Sequence, residues 1–153
     1  MKNLIHKLVS TTPSYSLLVA RLTLGLVMFP HGAQKVLGWF GGHGFNGTMG
    51  FFTGTLHVPA VLATLIILGE FLGSIGLIVG AFSRIAALGI VAIMTGAILM
   101  VHQGNGFFMN WSGSQKGEGY EYHLLVLGLA FVVAIAGAGK CSLDAWLAKK
   151  IQS

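Results

Sequence analysis

Apolar and polar positions divide the chain into four apolar blocks separated by connectors of different character. The blocks run from about Tyr15 to Val36, Pro59 to Ala81, Arg84 to Gln103 and Tyr122 to Ala138. Each is close to the ~20 residues that cross ~30 Å of hydrocarbon at 1.5 Å per residue. The pattern predicts an all-α membrane protein, a four-transmembrane-helix bundle forming a single domain over residues 1–153. Pro59 suits the first turn of its span, where its missing N–H costs nothing.

The connectors refine this picture. Phe82-Ser83 leaves room only for a tight turn between the second and third spans. In the Gly-rich stretch from Leu37 to Val58, Phe45, Met49, Phe52 and Leu56 recur at helical spacing. That spacing predicts a short amphipathic segment on the membrane surface. A polar loop with Trp111, Lys116 and Glu118 joins the third and fourth spans. Beyond the fourth, Ser142 is placed to cap a short interfacial helix over Leu143 to Lys150. Lys2 and Lys7 before an apolar run resemble a signal peptide, but the run continues to about Val36 without a clean cleavage site. It reads as a retained helix.

Composition supports a membrane setting. Charged residues make up 8% of the chain and the mean hydropathy is +0.79; soluble domains average roughly 25% charged. The net charge of +5 comes from scattered lysines and arginines, without the basic stripe a nucleic-acid partner would need. Six of these, Lys2, Lys7, Arg84, Lys140, Lys149 and Lys150, fall on the side of the termini, against Lys35 and Lys116 in the long loops. This bias predicts both termini in the cytoplasm. The one cysteine, Cys141, excludes an internal disulfide and an all-cysteine metal site.

Small residues suggest how the spans pack. Gly69, Gly73, Gly76 and Gly80 form a stripe on the second span, the third offers Ala92 and Gly96 as a packing face, and the fourth offers Ala130, Ala134 and Ala138. Such faces let backbones approach closely in lipid.

Two ionisable residues lie deep within spans, where each costs roughly 2.5–3.5 kcal/mol on insertion scales. Arg21 and Glu70 enter from opposite ends, at about 9 Å and about 16 Å by helical rise, which brings their Cα levels within about 5 Å in a ~30 Å core. An Arg21–Glu70 ion pair in the bundle interior is expected. It serves either to fix helix register or to present a ligand-binding or proton-accepting carboxylate. A second cluster, His31, Gln34, Lys35, His102, Glu118, Glu121 and His123, gathers at the outer ends of the spans, near His43 and His57. It reads as a polar network at headgroup level, as a quinone, thiol or other small-ligand site, or as a metal or haem site; no HxxxH or ExxH spacing supports the last. The Gly41–Gly44 run follows a membrane helix rather than a strand and is no phosphate cradle.

Several segments together resemble the DoxX family. They are Arg21-Leu-Thr-Leu-Gly25, His31-Gly-Ala-Gln-Lys35, Leu37-Gly-Trp-Phe-Gly-Gly42, Gly69-Glu70-Phe-Leu-Gly73, Arg84-Ile-Ala-Ala, Gly106-Phe-Phe108, Gly117-Glu118-Gly119-Tyr-Glu121-Tyr-His123 and Gly137-Ala-Gly-Lys-Cys-Ser-Leu-Asp144. The resemblance implies a small four-helix membrane protein, mostly bacterial, here of the inner membrane. Arg21, His31, Lys35, Glu70, Arg84, His102, Glu121 and His123 match its polar positions. Relatives of this kind are linked to thiosulfate:quinone oxidoreductase or to membrane complexes that handle thiol or oxidative stress. The resemblance therefore implies a redox-associated, non-catalytic subunit, quinone- or thiol-linked, working with a protein partner or as a homo-oligomer. A carrier for a small solute or proton using Arg21 and Glu70 is the alternative, and an anchor for a soluble enzyme a further one. No intrinsic redox motif is present, so the sequence leaves the cofactor unknown, with quinone as one candidate.

Overall fold

Helix boundaries follow local chemistry closely. The computed structural model describes residues 2–152, with side chains from Ile5 onward. The side chain of Lys2, counted above with the terminal charges, lies outside the described residues. A first helix, α1 (Lys2–Val9), was not expected and ends before Pro13. Ser14 then caps α2 (Tyr15–Leu37), its hydroxyl accepting from the Ser16 N–H at 3.1 Å. The helix runs unbroken through Pro30 and stops at Gly38, whose φ of 73° is left-handed.

After a 3₁₀ turn at Trp39–Gly41 comes α3 (Gly44–Gly50), which continues into a π-helical turn at Phe51–Thr55. Helical turns thus occupy part of the stretch between Leu37 and Val58. The remaining long helices are α4 (Ala60–Val79), α5 (Ser83–Ala97) and α6 (Glu121–Ala136). A second π-helical turn, Ile98–His102, and a 3₁₀ turn, Gln103–Asn105, extend α5. Finally α7 (Leu143–Gln152) starts where Ser142 Oγ accepts from the Ala145 N–H at 3.2 Å, as its sequence predicts. No strand occurs among the described residues.

Three helical stretches, Tyr15–Leu37, Ala60–Val79 and Ser83–Asn105, are long and apolar enough to cross a membrane. The fourth apolar helix, α6, has 16 residues, about 24 Å of rise. Outward-facing positions are strongly apolar: Val61 and Ile135 are each 75% exposed and Leu125 71%. Such a surface suits lipid rather than water.

The buried faces repeat at helical spacing. They are Leu24, Gly25, Met28 and Gly32 on α2, Ala63, Ile67, Glu70 and Leu77 on α4, Ala87, Ile90 and Met94 on α5, and Val126, Ala130 and Val133 on α6. Helix α2 packs on α4 and α6, α4 on α5, and α5 on α6.

The glycine stripe is tight only at its end. A Cβ at Gly69 or Gly73 would meet neighbours only at 3.8 Å and 3.9 Å, an ordinary contact distance, whereas one at Gly76 would lie 3.1 Å from the Ala81 carbonyl oxygen and one at Gly80 would collide with Ser142. Between the long helices the tight positions are on α2: a Cβ at Gly32 would lie 2.6 Å from the Phe71 Cα, and one at Gly25 would lie 3.0 Å from the Ile78 N. Ala92 and Gly96, expected as a packing face of the third span, have open space instead: nothing lies within 4 Å of a Cβ at Gly96.

On the side of the termini, α1 touches α7 and three charged side chains bind helix ends. Asp144 accepts from the Phe82 and Ser83 N–H groups at 2.7 and 2.8 Å, capping α5 from the C-terminal segment. Arg84 donates to the Ala134 and Ile135 carbonyls at 2.6 Å each, and to the Ser10 carbonyl. It therefore neutralises the negative end of α6.

Candidate functional site

Arg21 is built into this same helix-end network. Its guanidinium donates to the Leu77, Ile78, Ala138 and Cys141 carbonyls at 2.5, 2.7, 2.9 and 3.1 Å. Two of these are terminal carbonyls of α4, the others belong to the chain after α6. The expected Arg21–Glu70 pair is therefore not formed. Side chains lean toward the N-terminus of their own helix. Because α2 and α4 run in opposite directions, Arg21 leans toward the terminal side and Glu70 toward the loop side. Similar Cα depths thus become divergent head groups.

Glu70 instead joins the outer cluster. Its Oε1 lies 2.7 Å from Lys35 Nζ, and the carboxylate side chain is almost wholly buried. Lys35 also donates to the His31 carbonyl at 3.4 Å. Helix period places these groups together: His31 and Lys35 are one turn apart on α2 and both line the same cavity, Lys35 against Glu70 of α4 and His31 near Tyr122 of α6.

These residues stand at one end of a cavity of about 510 Å³ on the loop side. Its polar lining is His31, Lys35, Glu70, His102, Glu118, Tyr122 and His123. The remainder of the wall is apolar. Met28 comes from α2, Phe51, Phe52 and Leu56 from the segment after α3, Leu62 and Ile66 from α4, and Ile93, Met94 and Met100 from α5 and its π turn.

Aromatic rings connect the polar groups. The His31 and Tyr122 ring centroids are 5.8 Å apart, Tyr122 and His123 5.6 Å, and His123 and His102 4.2 Å. His102 Nδ1 is held by the Glu118 carbonyl at 2.8 Å. The Tyr122 hydroxyl has a thioether partner, Met28 Sδ at 3.7 Å, a weak acceptor. His123 is 6% exposed and its Nδ1 has no hydrogen-bond partner among the described residues. Buried polar atoms of this kind are normally satisfied, and one on the wall of a cavity calls for a ligand or water.

The other members of the sequence cluster have different placements. Gln34 donates to the Phe40 carbonyl at 3.1 Å and does not line the cavity. Glu121 accepts from the Met109 N–H at 3.0 Å and from Trp111 Nε1 at 3.4 Å, so it fastens the loop before α6. Glu118 does both, lining the cavity while accepting from the Asn110 N–H at 2.6 Å. No group of three or more His, Cys, Asp or Glu side chains converges as a metal site among the described residues. Sequence reasoning missed Tyr122 and the methionine wall. Tyr122 stands next to His123 and one helical turn from Val126 on the buried face, a signal that the helical period contains.

The arrangement suits an amphipathic ligand. Volumes of roughly 300–1,000 Å³, mostly apolar with a few convergent polar groups, typify small-molecule sites. Lys35 and Tyr122 can donate hydrogen bonds, and the His123 and His31 rings can donate or accept according to tautomer. Such a set fits the carbonyl oxygens of a quinone ring.

A protein-family model described as DoxX matches residues 16–103, more than half of the chain. That span carries His31, Lys35, Glu70 and His102, and ends before Tyr122 and His123. No curated protein and no solved structure matches the chain.

Proposed function

The chain belongs to the DoxX family, and from that membership we propose that it is a redox-associated membrane subunit holding a quinone in the loop-side cavity. The observation that carries this reading is the cavity itself: about 510 Å³, with apolar walls and hydrogen-bonding groups gathered around Lys35, Glu70 and Tyr122. A quinone ring offers two carbonyl acceptors and flat apolar faces. Lys35 and Tyr122 would hold the carbonyls, and Met28 and Met94 would lie against the ring. The ligand supplies the capacity to carry two electrons and two protons. A protein partner supplies or removes the electrons, because a single cysteine cannot cycle a disulfide within one chain.

In this reading α6 makes a fourth membrane crossing, since it packs on α5 and α2 and is apolar along its length. Both termini lie on the cytoplasmic face of a bacterial inner membrane. The charge bias supports this orientation more strongly than the sequence count did. Lys35 is engaged with Glu70 and no longer weighs as a loop charge, while Arg21 and Arg84 both hold helix ends on the terminal side. The carrier alternative loses its central element, because all of the hydrogen bonds seen for Arg21 go to backbone carbonyls.

The test is direct. Protein purified in mild detergent is extracted for quinone, then titrated with ubiquinone and menaquinone. Co-purified quinone, or saturable binding at one per chain that Lys35→Met weakens, supports the proposal. Absence of both overturns it.

A further inference from the structure

The cavity has an open flank. On the terminal side α4 and α5 are in contact, with Gly73 beside Ala86 and Gly69 beside Ile93. Nearer the loop side the two helices instead form opposite walls of the cavity, Leu62 and Ile66 facing Gly96 and Met100. Leu62 and Met100 line the cavity and are yet each 50% exposed. Their neighbours Val61, Leu65 and Leu99 are exposed apolar positions too, so Leu62 and Met100 border the outward-facing apolar surface, one on each helix. A second observation points to the same place. Both π-helical turns, Phe51–Thr55 and Ile98–His102, contribute residues to this cavity. Single π turns inside helices are uncommon and gather at functional sites, where they displace one flank of a helix.

We propose that the gap between α4 and α5 is a lateral portal, through which a ligand with a hydrocarbon tail enters from the bilayer. Its polar head reaches Lys35 and Tyr122, and its tail runs out between Leu62 and Met100 into lipid. The chemistry favours this over access from water. The polar groups of the site come from α2, α6, Glu70 of α4 and the loop side, whereas the flank between the helices is lined by the side chains of Leu62, Ile66 and Met100 and by Gly96. A tail crossing that flank leaves no hydrogen-bonding group unpaired. Gly96 is the threshold of the portal. It borders the cavity, and a Cβ placed there meets nothing within 4 Å. This inference rests on the proposed quinone reading and adds the tail and its route.

The test uses the full chain in lipid nanodiscs. Cys141→Ser removes the native thiol and keeps the backbone carbonyl that Arg21 binds; Gly96→Cys then carries a nitroxide spin label into open space. A portal predicts that dissolved oxygen, which concentrates in lipid, relaxes the label at least several-fold more than a water-soluble nickel chelate. It also predicts that a ubiquinone with an isoprenoid tail immobilises the label, whereas the tailless ring quinone binds without doing so. Label relaxation dominated by the nickel chelate, or equal immobilisation by both quinones, would overturn the portal while leaving quinone binding intact. If neither quinone binds the unlabelled wild-type chain, the functional reading fails and the portal fails with it. Should the labelled variant fold poorly, Leu62→Trp in the otherwise native chain is the second test. Narrowing the rim is expected to slow association of the tailed quinone at least several-fold. An association rate equal to that of the wild type would overturn the portal.

Discussion

Lys35 and Glu70 meet across the α2–α4 interface, Nζ to Oε1 at 2.7 Å, with the glutamate side chain 2% exposed and the lysine 27%. The pair is asymmetric in its surroundings, and that asymmetry decides what mutation does. Removing Lys35 leaves a carboxylate buried without its cation. Removing the charge of Glu70 leaves a lysine that still reaches the cavity and the His31 carbonyl.

Lys35→Met should therefore destabilise the protein more than Glu70→Gln. Breaking a buried pair from one side costs about 3–5 kcal/mol, and the partial exposure of Lys35 favours the lower end. The double variant Lys35→Met/Glu70→Leu should recover much of the loss, since an apolar replacement of a buried pair is often close to neutral. Thermal unfolding in one detergent for all the variants checks this ranking. A Glu70→Gln protein less stable than Lys35→Met would refute the burial argument.

The two arginines call for a different expectation. Arg21 satisfies four carbonyls through three nitrogens, and Arg84 three carbonyls likewise. A lysine brings a single point charge in place of this planar fork. Arg21→Lys and Arg84→Lys should each lower stability by roughly 2–3 kcal/mol, the scale of losing one or two charged hydrogen bonds. Quinone affinity, measured on the fraction that remains folded, should not change. If Arg21→Lys folds normally but loses binding, Arg21 is a ligand group and the helix-end role is wrong.

Much of the fold was legible from periodicity, because a membrane helix writes its length and its buried face into the sequence. The capping by Ser142 and the helical turns around Phe45 and Met49 are readable for the same reason: each rests on contacts within a few residues. What failed was depth arithmetic on Cα positions. Arg21 and Glu70 sit at matching levels, but the direction of each side chain is set by the polarity of its helix, and the two diverge. The neighbourhood of the candidate site is partly legible. His31, Lys35, His102, Glu118 and His123 line one cavity on the loop side. Glu70 stands against Lys35 rather than Arg21, and Tyr122 is one aromatic among many in the sequence. Gln34 and Glu121 share the neighbourhood but turn toward loop backbone, which sequence spacing does not encode.

The glycines of α2 and α4 give a sharp contrast. A Cβ at Gly32 would fall 2.6 Å from backbone of Phe71, which cannot move without shifting α4. A Cβ at Gly69 would find only the flexible end of Ile93 at 3.8 Å. Gly32→Ala should cost at least about 1–3 kcal/mol, as overpacking does. Gly69→Ala should be neutral, or stabilising by up to about 1 kcal/mol, because alanine favours the helix over glycine. Melting temperatures of the two single variants decide the point, and equal values would contradict the assignment of close approach to α2.

The last prediction concerns the ligand. The Tyr122 hydroxyl lies on the cavity wall and its partner there is the thioether of Met28 at 3.7 Å, a contact too weak to hold it against a better acceptor. A quinone carbonyl would be such an acceptor. Tyr122→Phe removes the hydroxyl and keeps the ring that stacks near His31 and His123, so packing and stability should stay close to wild type. One neutral hydrogen bond is worth about 1 kcal/mol, which corresponds to a roughly fivefold loss of quinone affinity. Tyr120→Phe serves as the control, since that ring packs on Phe107 at 5.5 Å and does not line the cavity. Titration of both variants with the same quinone in nanodiscs tests the contrast. A Tyr122→Phe protein that binds as tightly as wild type would remove the hydroxyl from the site and leave Lys35 as its principal donor.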